Sequence, residues 1–232
     1  MIGTETLPIP ELERLRGISD ELGAKGGFRK NAEVVGAAHP RPEGLLIAEL
    51  SKGECVWYSY EVHRKYETTE HRDGDRRTVR RSERVAGRTS SEGYALVDGQ
   101  GRTIGVDPNG TKPDGAEQSV SRFEPYEGGR DSIELFGFKI PGSLTGNSRT
   151  IGYEYNEWVI RPGTRLYILG EVHDKIGPLV ISKPEGGGHF IISTRTEQEL
   201  RVSRQKRHKF LAIGVIAAVL IGIGLIVGDL VR

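Results

Sequence analysis

The sequence predicts a mainly-β fold, in which a single β-rich domain is followed by a long C-terminal helix that becomes a transmembrane span. Three observations support this prediction. Short runs of β-branched and aromatic residues are separated by many of the 32 glycines, which is typical of short strands joined by tight turns. Apolar residues occupy every second position from Val56 to Val62. Residues 210–228 are all uncharged and, as a helix, are long enough to cross a bilayer.

The chain divides into five predicted segments. They are an N-terminal lead-in at 1–30, a β domain at 31–195, a basic juxtamembrane helix at 196–209, the transmembrane helix at 210–228 and a tail at 229–232. Leucines at helical spacing favour one short amphipathic helix in the lead-in, over 11–22, and the glycines that follow are expected to end it. A domain of this length can bury a core of its own.

The β domain is expected to consist of short strands and hairpins. Apolar patterning predicts strands over 32–38, 44–50, 54–69, 76–88, 150–160, 165–172, 177–182 and 190–193. Asp73 to Asp75 is a hairpin turn signal, and a second hairpin over 94–108 turns at Asp98 to Gly101. Residues 109–150 are rich in Gly, Pro and Ser, and only 133–140 is predicted to be ordered there.

From residue 196 onward the pattern predicts one continuous helix that ends near 228. Thr196 and Glu199 have the spacing of a capping box, and no Gly or Pro interrupts 197–209. Positive residues beside a span tend to remain in the cytoplasm, so we expect an integral, single-pass, tail-anchored membrane protein with the bulk of the chain cytoplasmic. The membrane-flanking basic residues are Arg201, Arg204, Lys206, Arg207 and Lys209.

Small residues recur at every fourth position of the predicted span, an arrangement that lets two helices approach closely in lipid. The helix-packing candidates are Gly214, Ala218 and Gly222 on one face and Gly224 and Gly228 on another. Because glycine is common in spans, pairing and simple tolerance of glycine are both open. The expected partners are therefore the lipid bilayer, a second copy of the chain through the span, and an unknown protein.

Composition limits the other function classes. A net charge of +1 gives no reason to expect a nucleic-acid partner. The single cysteine, Cys55, begins an apolar strand and has no base nearby in the sequence, so a buried thiol is favoured over a nucleophile. The six histidines have no metal-ligand spacing, although His39 and His173 would meet if two similar hairpins were related by symmetry. No catalytic residue, metal site or cofactor is predicted.

The predicted hairpin from His63 to Arg88 carries the largest local charge surplus. It contains nine Lys or Arg residues against five Asp or Glu. Two interpretations remain open. The cations belong to cross-strand ion pairs on a solvated ribbon, which we favour, or they bind anionic lipid headgroups or an acidic partner.

Four pieces of sequence, taken in order, carry a family resemblance. The first is GECVWYSYEV at 53–62, and the second is GVDPNG at 105–110. The third combines Glu157-Trp158, Arg161-Pro162-Gly163 and YILGE at 167–171. The fourth is FIIS at 190–193, followed by EQEL at 197–200, basic residues and the apolar stretch. Together they resemble the GIDE domain family, membrane-associated domains found in mitochondrial E3 ubiquitin ligases and in prokaryotic proteins.

The resemblance implies the domain but not ubiquitin chemistry. Eukaryotic relatives carry a zinc-binding RING after the last span, and one cysteine is too few for its ligand set. Family members also commonly begin with another span, which is not seen here. We therefore expect a membrane-tethered, non-enzymatic interaction or scaffold module of GIDE type. The alternatives are an E3 ubiquitin-ligase-like transferase or ligase-pathway component, and an anionic-lipid-binding module.

Overall fold

Two β-sheets account for most of the chain that the structure, a computed structural model, describes: residues 5–72, 75–126, 132–135, 138–141 and 148–195. The residues up to Thr194 belong to one compact unit. Its elements, in chain order, are α1 (Ile9–Glu21), β1 (Arg29–His39), β2 (Leu46–Ile47), β3 (Glu54–Cys55), β4 (Trp57–Arg72), β5 (Asp75–Thr89), β6 (Tyr94–Val97), β7 (Thr103–Val106), β8 (Glu117–Pro125), β9 (Ser132–Leu135), β10 (Phe138–Pro141), β11 (Ser148–Ile160), β12 (Arg165–His173), β13 (Val180–Ser182) and β14 (Ile191–Ser193).

The first sheet closes on itself as a five-stranded barrel. Its strands follow the order β1-β6-β7-β13-β12, and β12 pairs back with β1 from Arg29↔His173 to Ala37↔Arg165. All neighbours are antiparallel except β7 and β13, which are parallel. β14 extends the sheet beside β12. A ring in the order first, second, third, fifth, fourth, with its parallel pair between the third and fifth strands, has the connectivity of an OB fold.

The barrel encloses the main hydrophobic core. Alternate residues of its strands point inward, and Val34, Leu96, Ile104, Ile168 and Ile181 are all essentially inaccessible to solvent. α1 packs against this core through Ile9 and Leu12, which lie one helical turn apart. The short lead-in helix that the sequence predicts is therefore present.

The second sheet is built from two insertions into the barrel. One insertion, β2 to β5, lies between the first and second barrel strands, and the other, β8 to β11, lies between the third and fourth. The sheet has the order β5-β4-β11-β8 and is antiparallel throughout. The ladder from Trp57↔Ile160 to Thr68↔Ser148 joins the two insertions. Tyr58, Tyr60 and Val62 are buried in its core, as their alternation predicts.

Glycine allows two strands of the second sheet to approach closely at one point. At Gly152 in β11, an added Cβ would lie 2.4 Å from the carbonyl oxygen of Glu124 and 2.5 Å from the ring of Phe123. The Phe123 ring, on β8, therefore lies across the glycine. Any side chain at position 152 would force the ring and the β8 backbone away.

The mainly-β class is confirmed, and most predicted strands are present. Two details of the prediction are wrong. Of the strand expected over 44–50, only Leu46–Ile47 forms, because the chain turns back at 48–53 to pair Leu46 with Cys55. β8 was not predicted at all, since polar residues and glycines around it conceal its weak alternation. The stretch predicted to be ordered, 133–140, contributes to two short strands, β9 and β10, which pair with each other in antiparallel orientation.

The membrane part of the predicted fold class and location is corrected. Among the residues that the structure describes, no helix is long and apolar enough to cross a membrane. The one helix found there, α1, has 13 residues and carries charges such as Glu11 and Arg14, so at about 1.5 Å per residue it is too short and too polar. The transmembrane, tail-anchored, single-pass prediction is not retained. The segments 196–209 and 210–228, from which it was drawn, lie outside the described residues.

Candidate functional site

β5 forms one border of the second sheet and is the most basic strand in it. It pairs with β4 on one side, and no described strand pairs with its other side, which we call the free edge. Its 15 residues, DRRTVRRSERVAGRT, contain six arginines and two acids. Most of these side chains are exposed. The candidate site is therefore an arginine-rich sheet border rather than a cleft.

The outer end of the β4–β5 hairpin extends beyond the rest of the sheet. Pairing of β4 with β11 ends at Thr68↔Ser148. Beyond that point, 69–72 and 75–78 pair only with each other among the residues described, and we call these two stretches the hairpin arm. The predicted turn at 73–75 falls at the tip of this arm, where residues 73 and 74 are not described. In the arm, β4 and β5 therefore continue as a pair beyond the end of their ladder with β11.

A buried arginine anchors the base of the arm. Arg64 on β4 is 2% exposed and donates hydrogen bonds to Thr150 Oγ1 at 2.8 Å and Ser148 Oγ at 3.1 Å on β11. It also donates to Glu83 Oε1 on β5 at 2.9 Å. One guanidinium thus connects three neighbouring strands, and its five donors suit such branching contacts. These contacts hold β5 in register against the sheet.

Ion pairs neutralise many of the hairpin's cations. Arg80 donates to Glu67 at 3.1 Å, Arg81 pairs with Glu70, and Lys65 Nζ lies 2.8 Å from Glu154. The favoured interpretation of this hairpin, cross-strand ion pairing, is therefore confirmed for these residues. Because such exposed pairs contribute little to stability, their arginines remain available to a stronger acceptor.

Three arginines on β5 have no such partner. Arg76, Arg77 and Arg84 form no ion pair with any described residue. The guanidinium of Arg84 lies over Gly87, where an added Cβ would be 2.3 Å from Nη2. Gly87 therefore leaves room for this arginine on the surface. These three guanidinium groups are the cations of β5 that form no ion pair with a described carboxylate.

A shallow groove lies on the sheet face beside the arginine-rich strand. It has a volume of about 430 Å³ and is lined by Lys65, Arg80, Arg81, Ser82, Phe123 and Ile151. Phe123 is 47% exposed, which is unusual for a large aromatic side chain. The groove thus combines an apolar floor with cationic walls and continues the basic surface away from the free edge.

The backbone of β5 presents hydrogen-bonding groups to solvent along the free edge. The N–H of Ser90 donates to the carbonyl oxygen of Tyr58 at 2.9 Å, which fixes the direction in which these strands bond. Backbone N–H and C=O groups alternate in direction along a strand. Those of Arg64 and Glu83 therefore point toward each other, and so do those of every second pair from there to the tip of the hairpin. The N–H and C=O groups of Arg76, Thr78, Arg80 and Ser82 therefore point away from β4.

Three of the residues that carried the family resemblance, Cys55, Glu157 and Trp158, lie at a second location, where the two insertions meet. Glu157 on β11 is fully buried and accepts hydrogen bonds from the backbone N–H of Leu50 at 2.6 Å and of Ser51 at 3.0 Å, and from Ser119 Oγ at 2.8 Å. Beside it, Lys112 Nζ lies 3.1 Å from the ring centroid of Trp158, a cation–π contact.

Cys55 lies in the same region, as a buried thiol. Its side chain is fully buried, and the Sγ lies 3.6 Å from the carbonyl oxygen of Leu46. Burial, reinforced by the Glu157 carboxylate, raises the pKa of the thiol to about 11. Little thiolate therefore exists at neutral pH, which is typical of a buried structural cysteine.

His39 and His173 do not come together in the fold. His39 and His173 stand at opposite ends of the antiparallel β1–β12 ladder, since Arg29 is the residue opposite His173. The symmetric arrangement that would bring them together is therefore absent. Within the described part of the chain, no group of three or more His, Cys, Asp or Glu residues is placed to hold a metal ion.

The barrel face that an OB fold uses for oligonucleotides has small side chains here. The outward positions of β6 and β7 are Ala95, Val97, Thr103 and Gly105. They offer neither a ring for base stacking nor a cation for phosphate. The absence of a nucleic-acid partner remains a prediction.

The site residues named from the sequence are not placed by the structure. The basic residues Arg201, Arg204, Lys206, Arg207 and Lys209 lie outside the described residues, and so do Gly214, Ala218, Gly222, Gly224 and Gly228. The arginine-rich strand had been recognised only as a charge surplus. Its free edge was hidden because strand order cannot be read from local patterning.

A comparison of the sequence with known protein families gives a match over most of the chain. The sequence matches the GIDE family, described as E3 ubiquitin ligase, over residues 64–228. This chain belongs to the GIDE family. The GIDE match begins within β4 at Arg64, so it includes the arginine-rich strand and the Glu157 region but not α1 or β1. Searches of curated proteins and of solved structures gave no match.

Proposed function

We propose that this GIDE protein is a non-enzymatic interaction module of an E3-ligase-associated family, and that it contacts a partner protein through the β4–β5 hairpin. The observation that carries the proposal is the free, arginine-rich edge of β5. Six of the 15 residues of this border strand are arginines, and three of them have no carboxylate partner among the described residues. Charge complementarity of this kind steers association and selects partners.

The supporting structure is suited to presenting a binding strand. The hairpin is anchored by Arg64 at its base, while the arm beyond Thr68 pairs with no third described strand. An ordered base lowers the entropy lost on binding, and a projecting arm leaves the contact surface accessible. The barrel and the Glu157 contacts hold the two insertions together beneath it.

An E3-like transferase is the alternative that the family description raises. A transferase that carries ubiquitin on cysteine requires an accessible thiolate. Cys55 is the only cysteine of the chain, and burial raises the pKa of its thiol to about 11. The thioester route is therefore disfavoured for this chain, and the interaction function is preferred.

Site-specific photo-crosslinking in the producing cell tests the proposal. A photo-reactive amino acid at Thr78, on the free edge, is compared with the same group at Gln100, an exposed position in the β6–β7 turn. We expect discrete crosslinked protein species from position 78 and none of these from position 100. Substituting Arg76→Glu and Arg77→Glu in the Thr78 probe should remove them. The same species from both positions, or no crosslinked species from position 78, would contradict the proposal.

A further inference from the structure

Along its free edge, β5 has the geometry of a strand that lacks a neighbour among the described strands. From Asp75 to Glu83 the pairing with β4 is regular, and the register shifts only between Val62 and His63, opposite 84–86. Over this regular stretch, four consecutive outward residues present backbone N–H and C=O groups at the spacing of an antiparallel or parallel partner. A peptide of about eight residues would pair along it fully.

The side chains on this stretch decide which strand is accepted. Arg76 and Arg77 lie on opposite faces of β5, so acidic residues of an added strand would meet a cation on either face. A basic strand would place like charges opposite each other. A second copy of β5 would do the same, because arginines recur along its whole length. The arginines therefore protect the edge from self-association and leave it open to acidic segments.

We propose that the partner binds by strand addition: an extended acidic segment of a partner protein pairs with the free edge of β5 along 75–83. This inference rests on the proposed function and specifies its contact. The backbone of Arg76, Thr78, Arg80 and Ser82 supplies the ladder hydrogen bonds. Arg76 and Arg77 select for acidic side chains. Arg80 and Arg81 do the same once they exchange their intramolecular carboxylate partners for those of the added strand.

The first test uses a fluorescent peptide that alternates glutamate and threonine, because threonine favours extended structure. Binding to the full chain is measured by fluorescence anisotropy and compared with a lysine–threonine peptide of equal length. We expect the glutamate peptide to bind, the lysine peptide not to bind, and affinity to fall as salt is raised. Failure of the glutamate peptide to bind, or equal binding of both peptides, overturns the proposal.

The second test separates backbone pairing from simple charge attraction. Ser82→Pro removes one outward N–H, whereas the matched control Ser82→Ala keeps it. We expect about a tenfold loss of affinity for the first variant and less than about a twofold change for the second, in line with loss of a ladder hydrogen bond. If the proline variant fails to fold, a peptide methylated on alternate backbone nitrogens gives the same test without altering the protein.

The outcomes distinguish this inference from the proposed function. If proline and peptide methylation leave affinity unchanged while Arg76→Glu with Arg77→Glu abolishes binding, strand addition is wrong and the arginine-dependent contact stands. If the arginine changes also have no effect, both proposals fail. Binding of the chain to phosphatidylserine vesicles with the same arginine dependence, without peptide binding, would assign the edge to a headgroup surface and overturn the inference.

Discussion

The carboxylate of Glu157 accepts a hydrogen bond from the backbone N–H of Leu50 at a distance of 2.6 Å. Leu50 belongs to the insertion between the first two barrel strands, and Glu157 belongs to the insertion between the third and fourth. This contact and the one from the N–H of Ser51 join the two insertions at a fully buried carboxylate, which also accepts a hydrogen bond from Ser119 of its own insertion. The register of the second sheet, and hence the position of its arginine-rich border, depends on this junction.

Removing the Glu157 carboxylate should destabilise the domain strongly. Glu157→Ala leaves the buried N–H group of Leu50 without an acceptor and removes the contacts from Ser51 and Ser119, and we expect a loss of about 3 kcal/mol in the free energy of unfolding. Glu157→Gln keeps one carbonyl acceptor and should cost about 1 kcal/mol. Urea denaturation of the three proteins measures both values. Equal stability of the alanine variant and the native protein would show that the junction contributes nothing.

Gly152 should tolerate no side chain. In Gly152→Ala the new methyl group would lie 2.4 Å from the Glu124 carbonyl oxygen, so we expect a loss of about 1–3 kcal/mol from displacement of β8. The matched control is Gly99→Ala, where nothing lies within 4 Å of an added Cβ. Thermal unfolding should separate the two variants clearly. A Gly152→Ala midpoint as high as that of the control would refute the close approach of β8 and β11.

Several elements of this fold could be predicted from sequence because their signals are local. The alternation from Val56 to Val62 and the turn at Asp98 to Gly101 each specify structure within a few residues, and both are present. The OB-like order of the barrel depends on contacts between distant segments, such as β7 with β13, which no local pattern contains. The predicted membrane span is the converse case: a strong local signal, an apolar stretch with a basic flank, led to a prediction that the described residues contradict, since no helix among them is long and apolar enough to cross a membrane.

The candidate site was only partly predictable for the same reason. A surplus of arginine between His63 and Arg88 is visible in the sequence, and so is the tendency to form cross-strand pairs. The free edge follows from the order β5-β4-β11-β8, which requires that β11 rather than another strand lies beside β4. The role of Glu157 was hidden because a single acid within an apolar strand gives no sign of its acceptor contacts.

His173 should make stability depend on mildly acidic pH. Burial lowers the pKa of its imidazole, and nearby Lys175 and Arg29 lower it further, although Glu171 and Glu185 act in the opposite direction. The unfolded chain therefore takes up this proton near its ordinary pKa of about 6.5, before the folded chain does. The stability contributed by the neutral ring is fully present above that pH and is lost as pH falls toward the lowered pKa.

A variant that cannot titrate at this position isolates the effect. We expect the native protein to lose stability relative to His173→Gln when urea denaturation is repeated from pH 7.5 down to pH 5. The other titrating groups are present in both proteins, and Glu185, which His173 itself influences, has a pKa that is already lowered by Lys175 and so titrates below this pH range. A difference that stays constant over this range would contradict the assignment of a lowered pKa to His173.

Cys55 should resist alkylation until the domain unfolds. With a pKa of about 11, its thiolate fraction at pH 8 is about one in a thousand, whereas an ordinary exposed cysteine with a pKa near 8.5 is about one-quarter ionised. Iodoacetamide labelling followed by mass spectrometry should thus be slow in buffer and fast in urea. Because the chain has one cysteine, the labelled mass is unambiguous. Equal labelling rates in the two solutions would contradict the buried position.

The central claim is that the edge of β5 facing away from β4 is an unfilled strand position that an acidic segment fills. Residue-resolved amide exchange by NMR tests it most directly, with the N–H groups of Thr78 and Ser82 as reporters and that of Val79, which faces β4, as the internal control. The account predicts fast exchange at both reporters in the free chain, slower exchange at Val79, and at least about tenfold slowing at the reporters when the glutamate–threonine peptide saturates the protein. Slow exchange at the reporters before peptide is added, or no slowing at saturation, would contradict it.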